Sequence, residues 1–220
     1  MGHPGYTNMF MANSGSDISL VYGTSCLERY HLARGLALLQ QPTCNILANL
    51  SPQDRKTAKE LIRSTILATD NDIHKDVMAE MSRVCNKISA NRAKKLPVSV
   101  KTLTPSDRLC LLRGIIHTAD LSNPAKPFLL YDNWCQRVMT EFFRQGDREK
   151  ALGITVSPIC DRETTGVSQA QVPFITYLVS PLFDVWFSLP LDEIMKAKEL
   201  LRDNCKYHES RIKKDEVSPN

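Results

Sequence analysis

Halfway along this 220-residue chain a histidine and an aspartate stand three residues apart in the run His117-Thr118-Ala119-Asp120-Leu121-Ser122-Asn123-Pro124-Ala125-Lys126-Pro127. Leu112, Ile115 and Ile116 precede them at helical spacing, so the pair arrives at the end of a helix expected to bury that apolar face. Asn123 and Pro124 stop the helix, because the residue before a proline is pushed out of the α region. A carboxylate delivered by an apolar helix is costly to desolvate unless something positive meets it, and a metal ion or an arginine is the usual partner. The plainer roles are an Asp120 that caps a turn and a His117 that is a satisfied core histidine.

The elements that must position this pair read as helices throughout. Ser51-Pro52-Gln53-Asp54 and Thr104-Pro105-Ser106-Asp107 each offer an N-cap hydroxyl, a proline at the first helical position and an acid in the first turn. Ala58, Leu61, Ile62 and Ile66 then line a face of one helix, and Leu109, Leu112, Ile115 and Ile116 a face of the other. A third helix is expected from about Leu129 to Arg144, with Trp134, Val138 and Phe142 four residues apart and Gly146 as its C-cap. Another spans about Val167 to Leu189, interrupted or bent at Pro173 and Pro181. The last runs from about Leu191 to Ile212 and carries Ile194, Leu201 and Tyr207, before a polar C-terminal tail over 213–220. No period-2 strand pattern competes, so the fold class is all-α.

Composition narrows the partners. The net charge of +4 is mild, and much of it gathers between Lys87 and Lys101. That stretch has no aromatic residue and reads as a solvated loop, not a nucleic-acid surface. No apolar run approaches the ~20 residues of a membrane span, and Met1-Gly2-His3-Pro4-Gly5 is not a signal peptide. Tyr6 stands where a myristoylation signal prefers Ser or Thr. Seven cysteines, an odd number with no C-x-x-C pair, read as buried free thiols of a reducing compartment, and the expected location is cytoplasmic.

Several motifs together resemble the catalytic domain of class I 3′,5′-cyclic-nucleotide phosphodiesterases. They are His117 to Pro124, then Glu141-Phe142-Phe143-Arg144-Gln145-Gly146-Asp147-Arg148-Glu149, Ser157-Pro158-Ile159-Cys160-Asp161, and Gln171-Val172-Pro173-Phe174-Ile175. Upstream, His3-Pro4-Gly5-Tyr6-Thr7-Asn8, Leu27-Glu28-Arg29-Tyr30-His31-Leu32-Ala33 and Leu67-Ala68-Thr69-Asp70 fall in the family's order. The resemblance covers nearly the whole chain and implies a compact multi-helix domain, here 1–212, without its N-terminal helices. The implied activity is hydrolysis of cAMP or cGMP to the 5′-monophosphate, in signal transduction. Two divalent metals, zinc plus magnesium or manganese, lower the pKa of a bridging water and clamp the phosphoryl oxygens in that chemistry.

Carried over residue by residue, the resemblance makes Asp120 a carboxylate ligand of the tighter metal, with His117 behind it orienting neighbours. His3 and Glu28 match residues that line the metal pocket and organise water, and Thr69 and Asp70 match a pocket-lining segment. Gln171 matches the glutamine that hydrogen-bonds the purine edge, since an amide donates and accepts at once. Phe174 and Val138 match the clamp on the two purine faces; without the resemblance both are core positions. Asn123 matches an asparagine common in members that accept cAMP.

The departures carry equal weight. The family's metal ligands are a His from an early H-N-x-x-H motif, the adjacent His and Asp of H-D-x-D-H-P-G, and the Asp matched by Asp120. Met1 stands just after the missing His-Asp pair and Gly2 where Asp is usual, so three of the four ligands and the general acid are absent from the sequence. The expectation is that the chain as given holds no metal pair and does not turn over cyclic nucleotide. It is then either an N-terminally truncated piece of an enzyme or a short helical interaction module that has lost catalysis and pairs with full-length relatives through exposed core surface; a homo-oligomer is a further candidate assembly. Tyr30 replaces the first of a histidine pair, Asn71 a methionine and Pro173 a glycine, while Tyr22 to Glu28 is one residue shorter than usual.

Overall fold

Helix starts are the most locally encoded features of this chain. In the computed structural model, which describes residues 2–96, 102–189 and 192–217, the Ser51 hydroxyl accepts from the Asp54 N–H at 3.1 Å and the Thr104 hydroxyl from the Asp107 N–H at 3.1 Å. Each satisfies a donor that the first helical turn cannot pair internally, an interaction of about 1 kcal/mol.

The helices are α1 (Asn8–Asn13), α2 (Asp17–Tyr22), α3 (Cys26–Leu38), α4 (Pro52–Leu67), α5 (His74–Ala93), α6 (Pro105–Asp120), α7 (Phe128–Leu152), α8 (Val167–Pro173), α9 (Ser180–Phe187) and α10 (Asp192–Val217). Short 3-10 turns and a π-helical segment, Phe174–Val179, join them, and no strand occurs among the described residues. The all-α expectation holds. No helix among the described residues is long and apolar enough to cross a membrane.

The chain forms two compact units, one of Met1–Glu80 with Val100–His117, the other of Met81–Ser99 with Thr118–Asn220. In the first, α1, α2 and α3 pack on one another and α3 packs on α4, over buried Phe10, Met11, Cys26, Leu27 and Ala68. In the second, α10 packs along α8, α9 and the 3-10 turn Asn123–Ala125. Its core gathers Tyr131, Cys135 and Met139 of α7, Ala170 of α8, Ile175 and Val179 of the π segment, Phe183 and Leu201.

Four expectations are corrected. Leu112, Ile115 and Ile116 are 41%, 50% and 43% exposed, so the face expected to be buried is open. The covered face of α6 carries Asp107, Cys110, Gly114, His117 and Thr118 instead, at spacings of three, four, three and one. Apolar periodicity marks a stripe but does not say whether anything lies on it. On α7, Trp134 and Val138 are also exposed. Gly146 does not end α7, which runs on to Leu152 and is capped by Gly153 at φ +66°. Gly146 is buried in mid-helix because a Cβ there would lie 2.0 Å from the Cys160 carbonyl oxygen, so glycine lets the 3-10 turn Pro158–Cys160 sit on the helix. Finally, Lys87 and Arg92 lie on α5 and not in a loop, while Lys101 falls outside the described residues.

The interruption expected at Pro173 is present. Pro173 has no N–H to give the helical ladder, and the π segment begins at the next residue, with Pro181 in the first turn of α9. The last helix continues through 213–217, and residues 218–220 of the expected tail fall outside the described residues.

Candidate functional site

In the first unit the candidate residues meet around α1, α3 and the ends of α4 and α6. Asn8, the first residue of α1, accepts from the Leu27 N–H at 3.0 Å and donates to the Glu28 carboxylate at 2.9 Å, which fixes Glu28 in the first turn of α3. His3 is exposed; its Nδ1 accepts from the Gly5 N–H at 3.0 Å and its ring stacks on His31 at 5.4 Å. Two of the sequence's departures turn out to be neighbours. Gly2 has φ +73°, and a Cβ there would come within 2.9 Å of the Tyr30 hydroxyl.

His117 is fully buried, and its Nε2 lies 2.8 Å from Nδ1 of His74, a buried residue that the sequence reading missed. One of the two nitrogens carries the shared hydrogen. Burial, then the neighbouring His74, push His117 down to about 4 against an opposing pull from Asp70, so its imidazole is neutral. Its Nδ1 is buried with no hydrogen-bond partner among the described residues. Asp70 is itself buried and caps the 3-10 turn Asn71–Ile73 by accepting from the Asp72 N–H at 3.0 Å. Burial first, then Glu28 and at longer reach Asp70, raise the Cys26 thiol. This places Cys26, Glu28 and Asp70 in one electrostatic neighbourhood.

The second unit holds the remaining candidates. Asp120 ends α6 at the surface, with no hydrogen bond or ion pair among the described residues, and burial of its surroundings raises its carboxyl. Two anchors hold the turn beyond it. Trp186 Nε1 donates to the Thr118 hydroxyl at 2.8 Å, and the Asn204 amide donates to the carbonyls of Pro124 and Lys126 at 2.8 and 2.9 Å. Asn123 donates to the Tyr131 carbonyl at 3.3 Å, and its own Oδ1 is buried without a partner.

Gln171, buried on α8, accepts from the hydroxyl of Tyr131 at 3.0 Å. Tyr131 is wholly buried, and burial first of all drives its hydroxyl far above the ordinary tyrosine value, so it is a donor at every ordinary pH. With Oε1 so engaged, Gln171 keeps its Nε2 without a hydrogen bond among the described residues and not sealed off. Phe174 lies three residues on, half-buried against the unit's core, and Val138 stands 40% exposed on α7. Tyr131 was missed by sequence reading, which weighed aromatic residues on apolar faces as packing.

A metal pair does not fit the donors present. Among the described residues no three His, Cys, Asp or Glu side chains stand close enough to hold an ion. His117 Nε2 is taken by His74, and one carboxylate is far short of the four donors zinc requires.

Residues 1–200 match the profile of the 3′5′-cyclic nucleotide phosphodiesterase family. The chain is 39% identical over 212 residues to 3′,5′-cyclic-AMP phosphodiesterase 4C of Mus musculus, covering 96% of this chain and 30% of the relative. It is 38% identical over 213 residues to a probable 3′,5′-cyclic-AMP phosphodiesterase of Caenorhabditis elegans, covering 96% of this chain and 31% of that one. The chain thus spans about a third of the length of these curated relatives. Its fold matches the solved structure of LmjPDEB1 in complex with IBMX at a TM-score of 0.85, with 23% identity, over 97% of this chain and 62% of the other. With residues 1–200 matched, the chain belongs to the 3′5′-cyclic nucleotide phosphodiesterase family.

Proposed function

We propose that residues 1–212 supply the base-recognition part of a cyclic-nucleotide phosphodiesterase catalytic domain. Hydrolysis of the 3′,5′-cyclic phosphodiester to the 5′-monophosphate then belongs to the complete domain. Members of the family depend on metal ions; among the described residues no three donors stand together, so Asp120 would need further donors to hold a zinc and magnesium or manganese pair. The observation that carries the reading is the Tyr131–Gln171 hydrogen bond. It fixes a buried amide with one lone pair of its oxygen taken and its N–H donors open, which supports recognition of a ring nitrogen or carbonyl on a purine. Phe174 and Val138 are the apolar faces on either side of the base, and Asn123 a further polar contact. The curated relatives are cyclic-AMP enzymes, which favours cAMP over cGMP. Seven free cysteines favour the cytoplasm.

The test is calorimetric titration of the purified chain with cAMP, cGMP and AMP, with turnover followed in the same samples. Weak binding abolished by Gln171→Ala, without metal-dependent hydrolysis, is the expected result. Robust turnover lost in Asp120→Ala overturns the expectation that this chain holds no metal pair. No binding by the wild-type chain overturns the recognition role. That last outcome favours a second reading, a helical interaction module, supported by the open apolar face of Leu112, Ile115 and Ile116. A second copy of the chain is the partner proposed for it.

A further inference from the structure

Beside the residues already placed lies a buried imidazole that no step uses. His208, on α10, is 2% exposed. Its Nδ1 is 2.9 Å from the Ser168 hydroxyl, in the first turn of α8, three residues before Gln171. Its ring meets the edge of Tyr131 at 5.6 Å between centroids and 86° between planes, and Tyr131 is the donor to Gln171. One residue therefore touches both supports of the Gln171 amide.

We propose that His208 is a positioning residue for Gln171: it holds the first turn of α8 through Ser168 and backs the ring of Tyr131, whose hydroxyl orients the amide. The geometry makes this arrangement depend on the neutral imidazole. His208 Nε2 is buried without a hydrogen-bond partner. In the imidazolium both nitrogens are donors, so Nδ1 can only donate to Ser168 while Nε2 carries a share of the positive charge and an N–H with no acceptor before it. Burial accordingly lowers His208. The charged groups acting on it are Asp132 of α7, which favours the proton, and Arg211 of α10, which opposes it; α8 presents only the Ser168 hydroxyl. The functional meaning rests on Gln171 as the base-recognition amide, but the arrangement can be tested without any nucleotide.

The experiment follows the Gln171 side-chain amide signal in nitrogen-15 NMR spectra of the whole chain, assigned by its loss in Gln171→Ala. Ser168→Ala and His208→Phe are expected to shift the signal at neutral pH. In the wild-type chain the signal should also move on acidification, with a midpoint below the ordinary histidine value of 6.5. In His208→Asn, whose amide can stand in for Nδ1 but does not titrate, the signal should keep its neutral position and lose that pH response. A signal unmoved in a folded Ser168→Ala chain, or a pH response unchanged in His208→Asn, overturns the proposal. If His208→Phe fails to fold, Ser168→Ala decides alone, because it removes a single hydroxyl. Failure of nucleotides to bind counts against the functional reading and leaves this test intact.

Discussion

Two buried imidazoles 2.8 Å apart make the chain's stability depend on pH whether or not the chain uses it. His117 titrates at 6.5 when unfolded and near 4 when folded, so between those values the unfolded chain binds more protons. Stability must therefore fall as the pH drops from 6.5 towards 4, by on the order of 3 kcal/mol for this group. Urea midpoints at pH 7, 5.5 and 4.5 measure the slope, and His117→Asn should flatten it; equal slopes in the two proteins contradict the assignment. At the same scale, Gly2 and Tyr30 read as a matched pair of departures. The Tyr30 hydroxyl occupies the space a side chain at position 2 would need, and the backbone there is left-handed. Gly2→Asp alone should restore no function and cost about 1 kcal/mol or more in the melting transition, and Tyr30→His should relieve the crowding part of that cost. Sequence could name His117 and Gln171 because their motifs are distinctive. It could not name their partners, since His74 and Tyr131 lie 43 and 40 residues away from them along the chain.

At the scale of elements, the most legible features were those decided within one turn. The hydroxyl caps at Ser51 and Thr104 and the break after Pro173 depend on neighbours in sequence, and they stand where the residues put them. The features misread were decided by distant segments. Gly146 looked like a helix end, yet its reason is the carbonyl of Cys160, fourteen residues on. Gly146→Ala is therefore expected to destabilise by about 1–3 kcal/mol, the cost of overpacking, despite alanine's better helix propensity. A chemical denaturation series checks the sign, and a stabilised variant would mean that the turn Pro158–Cys160 yields easily. That turn has a second anchor in the buried Glu149 carboxylate, which accepts from the Ser157 N–H at 2.7 Å, the Ser157 hydroxyl at 2.9 Å and Gln145 at 2.9 Å. Asn204 does similar work on α10: Asn204→Ala leaves the Pro124 and Lys126 carbonyls unanswered and should cost about 1–3 kcal/mol.

For the whole molecule, what the chain exposes matters as much as what it buries. The open face of α6 should drive self-association at micromolar concentration, and Ile115→Lys or Ile116→Lys should shift sedimentation towards the monomer. Zinc or magnesium should leave the melting temperature unchanged. A site loaded at a hundred times its dissociation constant would add about 2.7 kcal/mol, a shift no melt could miss. The cysteines give a further handle. Cys44 is exposed and Cys205 half-covered, whereas Cys26 and Cys110 are buried in the first unit and Cys85, Cys135 and Cys160 in the second. Burial first pushes Cys135 and Cys160 up to about 11, so each stays an unreactive thiol while its surroundings are closed. Alkylation of the native chain would then run as a clock: an immediate mark at Cys44, and later marks timed by the opening of one unit or the other. The chain carries its own stopwatch for the breathing of each half, readable by mass alone.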